Sequence, residues 1–206
     1  MKYNKTFIDI TTNVDEIEQR LSEITDKSKL VMMRAMNRTA STIATTEKRE
    51  VSARYFISQK KVADTLRIEK ASTGNLSARV VSKGERMGLE KFKISPLRPV
   101  KLTKGGKRSP GVYKAAVKRE GGMKPLNGKN VLGRTIKPFV ATMHNKKNDH
   151  TGLFWRETLA AYPIKSIMGP SVPDMAGSKK VMEVINKKAN ETLQKRIEHE
   201  LSRVMQ

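Results

Sequence analysis

Cysteine is absent from the 206-residue chain, and aromatic residues make up only 5% of it. Without cysteine, disulfide frameworks and thiolate metal sites are excluded, and nothing indicates an oxidising compartment. No uncharged run approaches the ~18 residues that a membrane-spanning helix needs, and residues 1–10 lack the apolar core of a signal peptide. We therefore expect a soluble protein that is made in a cytoplasm, is not exported through the Sec route and has no membrane partner.

Acidic side chains are also scarce: 20 Asp and Glu stand against 42 Lys and Arg, which gives a net charge of +22. The excess is concentrated in residues 54–137, where 22 basic and 5 acidic side chains leave a net charge of +17. Repulsion within such a block opposes compaction unless the block is solvated or faces a polyanion. The charge alone leaves both alternatives open.

Helical periodicity appears near both ends of the chain. Apolar residues recur at three- and four-residue steps from Asn13, with a possible break after Ser28, and the stripe continues through Leu30, Met33, Met36, Ala40, Ile43 and Ala44. Ser58 is a candidate N-cap for a short helix that reaches Leu66. Four-residue steps from Val181 to Leu201 predict a C-terminal helix. These patterns predict a long early helix, a short second helix and a long final one.

Between the helices the pattern changes to short β-type segments separated by Gly, Pro and Asn. The predicted strands are residues 67–70, 76–82, 89–94, 100–103, 111–118, 139–143 and 152–156. Their connections are too short for crossover helices, so we expect one mostly antiparallel sheet. Residues 163–177 are rich in proline, and we expect them to be extended. The predicted fold class is α+β, with the long N-terminal helix and the C-terminal helix packed on the sheet and extended basic loops.

Residues suited to catalysis are few. The histidines are His144, His150 and His199. The first two lie at a predicted turn with Asp149, where a polar hairpin tip is favoured over a metal site because no third firm ligand is present, and His199 is expected to be solvated on the C-terminal helix. No Gly-x-Ser-x-Gly elbow is present, and the Gly105–Ser109 run lacks the spacing of a phosphate-binding loop. We expect no enzyme activity, no cofactor and no metal.

Two predicted basic hairpins carry the candidate nucleic-acid contacts. Their long, mobile cationic side chains can reach phosphate oxygens without reading bases, whereas the scarcity of aromatic residues argues against stacking on single strands. The alternative is a basic loop that is merely solvated. The candidate residues are Lys101, Lys104, Lys107, Arg108, Lys114, Lys118 and Arg119.

Several runs, in this order, resemble the prophage minor tail protein Z family. They are AMNRTA at residues 35–40, Tyr55 before the Ser58 helix, ARVVSKG at 78–84 leading to LEKFKI at 89–94, PFVATM at 138–143, GLFWR at 152–156 and PIKSIMGPSVP at 163–173. The resemblance covers roughly residues 30–177. The N-terminal helix up to Asp26 and the Lys- and Gly-rich insertion at residues 97–130 match it least.

The resemblance implies a virion structural protein made in the host cytoplasm. Such a tail-completion subunit forms a homo-oligomeric ring, commonly sixfold, at the head-proximal end of a siphophage tail and joins the tail to the neck. The implied partners are a tail terminator and head-completion or connector proteins, with the end of the genomic DNA as an open alternative. A different function, that of a basic DNA-binding protein without sequence preference, also fits the charge.

The resemblance and the apolar pattern together suggest a subunit interface. The Pro-rich arm at residues 163–175 carries Ile167, Met168, Val172 and Met175, which could contact a neighbouring subunit or cover the core of their own. The predicted organisation is one tail-completion domain over residues 1–206. It comprises a helical region at 1–53, a basic β-rich region at 54–177 with inserted loops at 97–130, and the C-terminal helix at 178–206.

Overall fold

The computed structural model describes residues 4–10, 25–98, 113–144 and 149–204. These residues group into two compact units, each assembled from separate stretches of the chain. The first unit comprises residues 1–52, 58–85 and 171–206, and the second comprises residues 53–57 and 86–170. No helix within the described ranges is long and apolar enough to cross a membrane.

The described residues of the first unit form four helices and one sheet. Strand β1 (Asn4–Ile10) and strand β2 (Leu66–Glu69) pair antiparallel with the two edges of strand β3 (Ala78–Gly84). The helices are α1 (Thr25–Arg54, whose last two residues belong to the second unit), α2 (Gln59–Ala63), α3 (Val172–Ala176) and α4 (Lys179–Val204). A cross-strand ion pair between Asp9 and Arg79 joins β1 to β3.

Apolar residues of α1 and α4 pack together in the first unit. Val31 and Met32 on α1 contact Leu201 on α4, and the half-buried Ile197 and Val204 extend this cluster. The most buried stripe of α1 runs through Met32, Met36, Ala40, Ile43 and Val51, whereas Leu30 and Met33 are only half-buried. The predicted stripe is therefore correct from Met36 onward and displaced by one position before it.

Short antiparallel strands form the second unit. Its three-stranded sheets are β4 (Lys93–Ser95), β5 (Lys114–Ala116) and β6 (Lys124–Pro125), in the order β4-β5-β6, and β9 (Phe139–Met143), β10 (His150–Arg156) and β11 (Ile164–Ser166), in the order β11-β10-β9. A separate hairpin pairs β7 (Lys129–Val131) with β8 (Arg134–Ile136). The predicted single sheet is therefore divided into separate small sheets.

The α+β class, the long helix α1 and the C-terminal helix α4 are confirmed. The helix α1 continues through Ser28, and its predicted first turns from Asn13 lie outside the described residues. The Ser58 cap is also confirmed, because its side chain accepts a hydrogen bond from the Lys61 N–H at 3.4 Å. The capped helix is shorter than predicted, since Leu66 already pairs in β2.

Two local predictions were wrong, and one strand was missed. The predicted strand at 89–94 begins with a 3₁₀ turn at Leu89–Lys91, and only Lys93–Ser95 is extended. The predicted extended arm contains the helix α3, because Ser171 and Asp174 form a capping box and Pro173 lies in the first turn, where its missing N–H costs nothing. Strand β1 was not predicted, although its alternate residues Ile8 and Ile10 are buried.

Candidate nucleic-acid interface

The positive charge is concentrated in the second unit. Its residues 53–57 and 86–170 contain 20 basic and 4 acidic side chains, a net charge of +16, whereas the first unit carries +6. Three of the four carboxylates already lie near a basic side chain of the same unit. These pairs are Asp149 with His144 at 3.0 Å, Glu157 with Lys165 at 3.1 Å and Glu90 with His150 at 3.7 Å. The unit therefore has few carboxylates to compensate its cations.

Phe56 lies at the centre of the best-defined cationic cluster of this unit. The backbone at residues 54–56 pairs with residues 117–119: the Phe56 N–H donates to the Val117 carbonyl at 2.9 Å, and the Arg119 N–H donates to the Arg54 carbonyl at 2.8 Å. Tyr55 forms an isolated bridge with Lys118, and its own side chain is buried. This pairing fixes the half-buried Phe56 ring beside residue 119.

Two cations lie over the Phe56 ring. The Lys93 ammonium is 5.1 Å from the ring centroid and the Arg119 guanidinium carbon is 4.8 Å from it. Both distances are within the range of cation–π attraction, which is worth about 0.5–1 kcal/mol at exposed sites. The ring thus holds two exposed cationic side chains near each other, despite their mutual repulsion.

The sheet β4-β5-β6 adds a third cation on the same face as Lys93. Lys93 and Ser95 are alternate residues of β4 and therefore point to the same face of the sheet. Ser95 pairs with Lys114, and residues that lie opposite each other in a ladder share a face, so Lys114 lies on the Lys93 face. Lys93 and Lys114 are both exposed. Because charges already contact the Phe56 ring, this cluster is suited to contacting phosphates rather than stacking on bases.

The structure brings together part of the predicted site. Lys114, Lys118 and Arg119 are exposed in the second unit, while Lys101, Lys104, Lys107 and Arg108 lie outside the described residues. The contributions of Lys93 and Phe56 were not predicted from the sequence. Phe56 is far from Lys93 along the chain, and no sequence pattern links them; their contact is seen only in the folded structure.

The histidines considered as metal ligands have separate partners. His144 Nδ1 lies 3.0 Å from Asp149 Oδ1, whereas His150 Nε2 lies 3.7 Å from Glu90 Oε1. Within the described ranges, no three His, Asp or Glu side chains are grouped so that they could hold a metal ion. These residues form local polar pairs at the ends of β9 and β10.

The predicted interface residues are divided between the two units. Val172 and Met175 belong to α3 in the first unit and are each only 1% exposed, so they contribute to the core of their own subunit. Ile167 is half-buried in the second unit, where its N–H donates to the Leu153 carbonyl at 2.8 Å. Met168 is 44% exposed. Among the four, only Met168 presents a large apolar surface to solvent.

Comparison with known families identifies the chain as a structural protein of bacteriophage tails. Residues 14–206 match the family described as prophage minor tail protein Z (GPZ), and the chain belongs to that family. The match includes the N-terminal stretch from residue 14 and the insertion at 97–130, the two parts whose sequence motifs resemble the family least. No curated protein and no solved structure matches the chain.

Proposed function

We propose that this minor tail protein is a tail-completion subunit that forms a ring at the head-proximal end of a siphophage tail and joins the tail to the neck. The family match over residues 14–206 is the observation that carries the proposal. The proposed ring is homo-oligomeric and sixfold, and its neighbours are the tail terminator and the head-completion or connector proteins. In this role the protein acts as a structural component of the virion and catalyses no reaction.

The exposed side chain of Met168 supports a subunit contact in the second unit. An exposed methionine beside the half-buried Ile167 offers an adaptable apolar surface that a neighbouring subunit can cover. The buried residues Val172 and Met175 are left out of this proposed contact.

Inactivation of the gene in a phage that carries it tests the proposal. The expected result is an accumulation of DNA-filled heads and separate tails, with complementation by a plasmid copy of the gene. Gold-labelled antibody against the protein should mark the head-proximal end of tails in complemented virions. Normal virions without the protein, or gold at the distal tip only, would contradict the proposal.

A second candidate function, DNA binding without sequence preference, is favoured by one observation. The second unit, with a net charge of +16, presents Lys93 and Arg119 over the Phe56 ring and Lys114 on the same sheet face as Lys93. In the proposed ring such a cluster would contact the end of the genome, so this activity can accompany the first function. Retention of a labelled 20-base-pair duplex by the purified protein tests it, and equal affinity for unrelated duplexes is the expected result.

A further inference from the structure

A polar cleft of about 490 Å³ opens on the first unit, on the surface of α1. Its walls come from three elements: one face of α1, the residue that follows β2, and the last turns of α4. The lining residues are Arg34, Asn37, Arg38, Ser41, Lys70, Glu200 and Arg203. Four of these seven side chains are cationic and one is acidic, so the cleft carries a net charge of +3.

Asn37 positions Lys70 at this cleft. Its Nδ2 donates to the Ala71 carbonyl at 3.0 Å, and its Oδ1 accepts from the Ala71 N–H at 2.8 Å. This amide-to-peptide pair holds the backbone next to Lys70 against the helix. Lys70 therefore stays near Arg38, and no carboxylate among the described residues forms an ion pair with either of these two cations.

Glu200 contributes a buried carboxylate that lacks a hydrogen-bond donor. The residue is only 7% exposed, and its Oε2 has no hydrogen-bond partner within the described part of the chain. Arg34 Nη1 lies 3.7 Å from Oε2, and Arg203 Nη1 lies 3.5 Å from Oε1, which are ion-pair distances rather than good hydrogen bonds. Glu200 thus partly compensates Arg34 and Arg203, which leaves Arg38 and Lys70 as the cations of the cleft that are open to a ligand.

We propose that this cleft binds an acidic peptide segment of a neighbouring protein in the tail. The peptide's carboxylates would contact Arg38 and Lys70, since guanidinium and carboxylate groups match in geometry and charge. The neighbour's identity as a tail protein rests on the proposed function, whereas the chemistry of the site does not.

The lining of the cleft gives a nucleic acid no contact for its bases. No aromatic side chain lines the cleft, so bases have no surface on which to stack. The second unit, with its charge of +16, provides the more suitable surface for DNA.

Fluorescence anisotropy with the full chain tests the proposal. The probe is a fluorescein-labelled peptide of alternating Glu and Gly, and a Gln–Gly peptide serves as the neutral probe. Arg38→Ala with Lys70→Ala should weaken binding of the acidic peptide by about tenfold or more, since two charge-assisted contacts are lost. Lys60→Ala with Lys61→Ala is the matched control, because it removes the same charge from exposed positions of the same unit.

The control should change the affinity by less than about twofold, because exposed charges away from a site act only through a screened field. Equal losses in the two double variants would overturn the proposal, as would tight binding of the Gln–Gly peptide. It would also be overturned if Arg38→Ala with Lys70→Ala left the peptide affinity unchanged and weakened binding of a 20-base-pair duplex instead. Arg38 and Lys70 are exposed, so unchanged circular dichroism melts should accompany the substitutions.

Complementation of a phage lacking the gene separates this inference from the proposed function. If the wild-type chain restores plaques but Arg38→Ala with Lys70→Ala binds the acidic peptide normally, the inference fails and the function stands. If the peptide result holds but virions form normally without the protein, the proposed function fails and the peptide site stands.

Discussion

Glu47 makes the stability of the first unit depend on pH. The residue lies on α1 and is 1% exposed, and its Oε1 has no hydrogen-bond partner within the described ranges. Burial raises the pKa of this carboxyl from 4.5 to about 7, and the neighbouring Ser82 hydroxyl on β3 offsets part of the shift. The folded chain therefore keeps a proton on Glu47 at pH values where the unfolded chain has released it.

The direction of the effect follows from this difference in proton binding. Below pH 4.5 the carboxyl is protonated in both states, and its full contribution to stability is present. Between pH 4.5 and about 7 the unfolded state binds fewer protons, so stability falls as pH rises and levels off above the folded pKa. A shift of this size corresponds to a loss of about 3 kcal/mol across the window.

Glu47→Gln should remove this loss, because an amide of the same shape does not ionise. We expect the variant to be more stable than the wild type by up to about 3 kcal/mol at pH 8 and by less than about 1 kcal/mol at pH 5. Urea unfolding followed by far-ultraviolet circular dichroism at both pH values measures the difference. Glu183→Gln, at an exposed position of α4, is the control and should shift neither value. A Glu47→Gln variant that is less stable than wild type at pH 8 would refute this reasoning.

Three further predictions concern the α3 cap, the predicted arm and the basic cluster. Ser171→Ala should lower the free energy of unfolding by about 1 kcal/mol in urea titrations, because the cap of α3 is lost; no change would mean that solvent replaces the cap. Val172→Asp should fail to fold, since an unpaired buried charge costs several kcal/mol, whereas Met168→Asp should fold and lose only ring assembly in light scattering. A soluble, folded Val172→Asp chain would contradict the burial described above. The affinity for a DNA duplex should fall steeply with salt, with a slope of about −0.9 in log affinity against log salt concentration for each phosphate contact. Lys93→Ala with Arg119→Ala should make that slope less steep. An unchanged slope would exclude this cluster from the DNA contact.

The helices could be predicted from the sequence because their signals are local. The four-residue steps from Val181 to Leu201 predict α4, and the side chain of Ser58 caps α2 as its position indicates. The helix α3 was missed because three prolines at residues 163–173 outweighed the Ser171–Asp174 capping pattern. Proline opposes a helix only in its interior, and Pro173 lies in the first turn.

The sites could be predicted less well, because they depend on contacts between distant residues. Charge counts drew attention to residues 114–119, but they do not identify the Phe56 ring that holds Lys93 and Arg119. The cleft on α1 joins Arg38 to Arg203, which are far apart in sequence and have no shared motif. Tertiary packing brings these residues together, and it leaves no periodic pattern in the sequence from which their contact could be predicted.

The discontinuous first unit sets an order for folding during synthesis. Asn4 on β1 donates to Asp174 at 2.7 Å, and the Thr6 hydroxyl donates to the Pro173 carbonyl at 2.9 Å, so the earliest strand closes against one of the last elements. Contacts between residues so far apart cannot form until the ribosome has translated nearly the whole chain. The second unit, which ends at Pro170, is fully synthesised before the first can close. Translation products that stop before Pro173 would therefore lack a complete first unit.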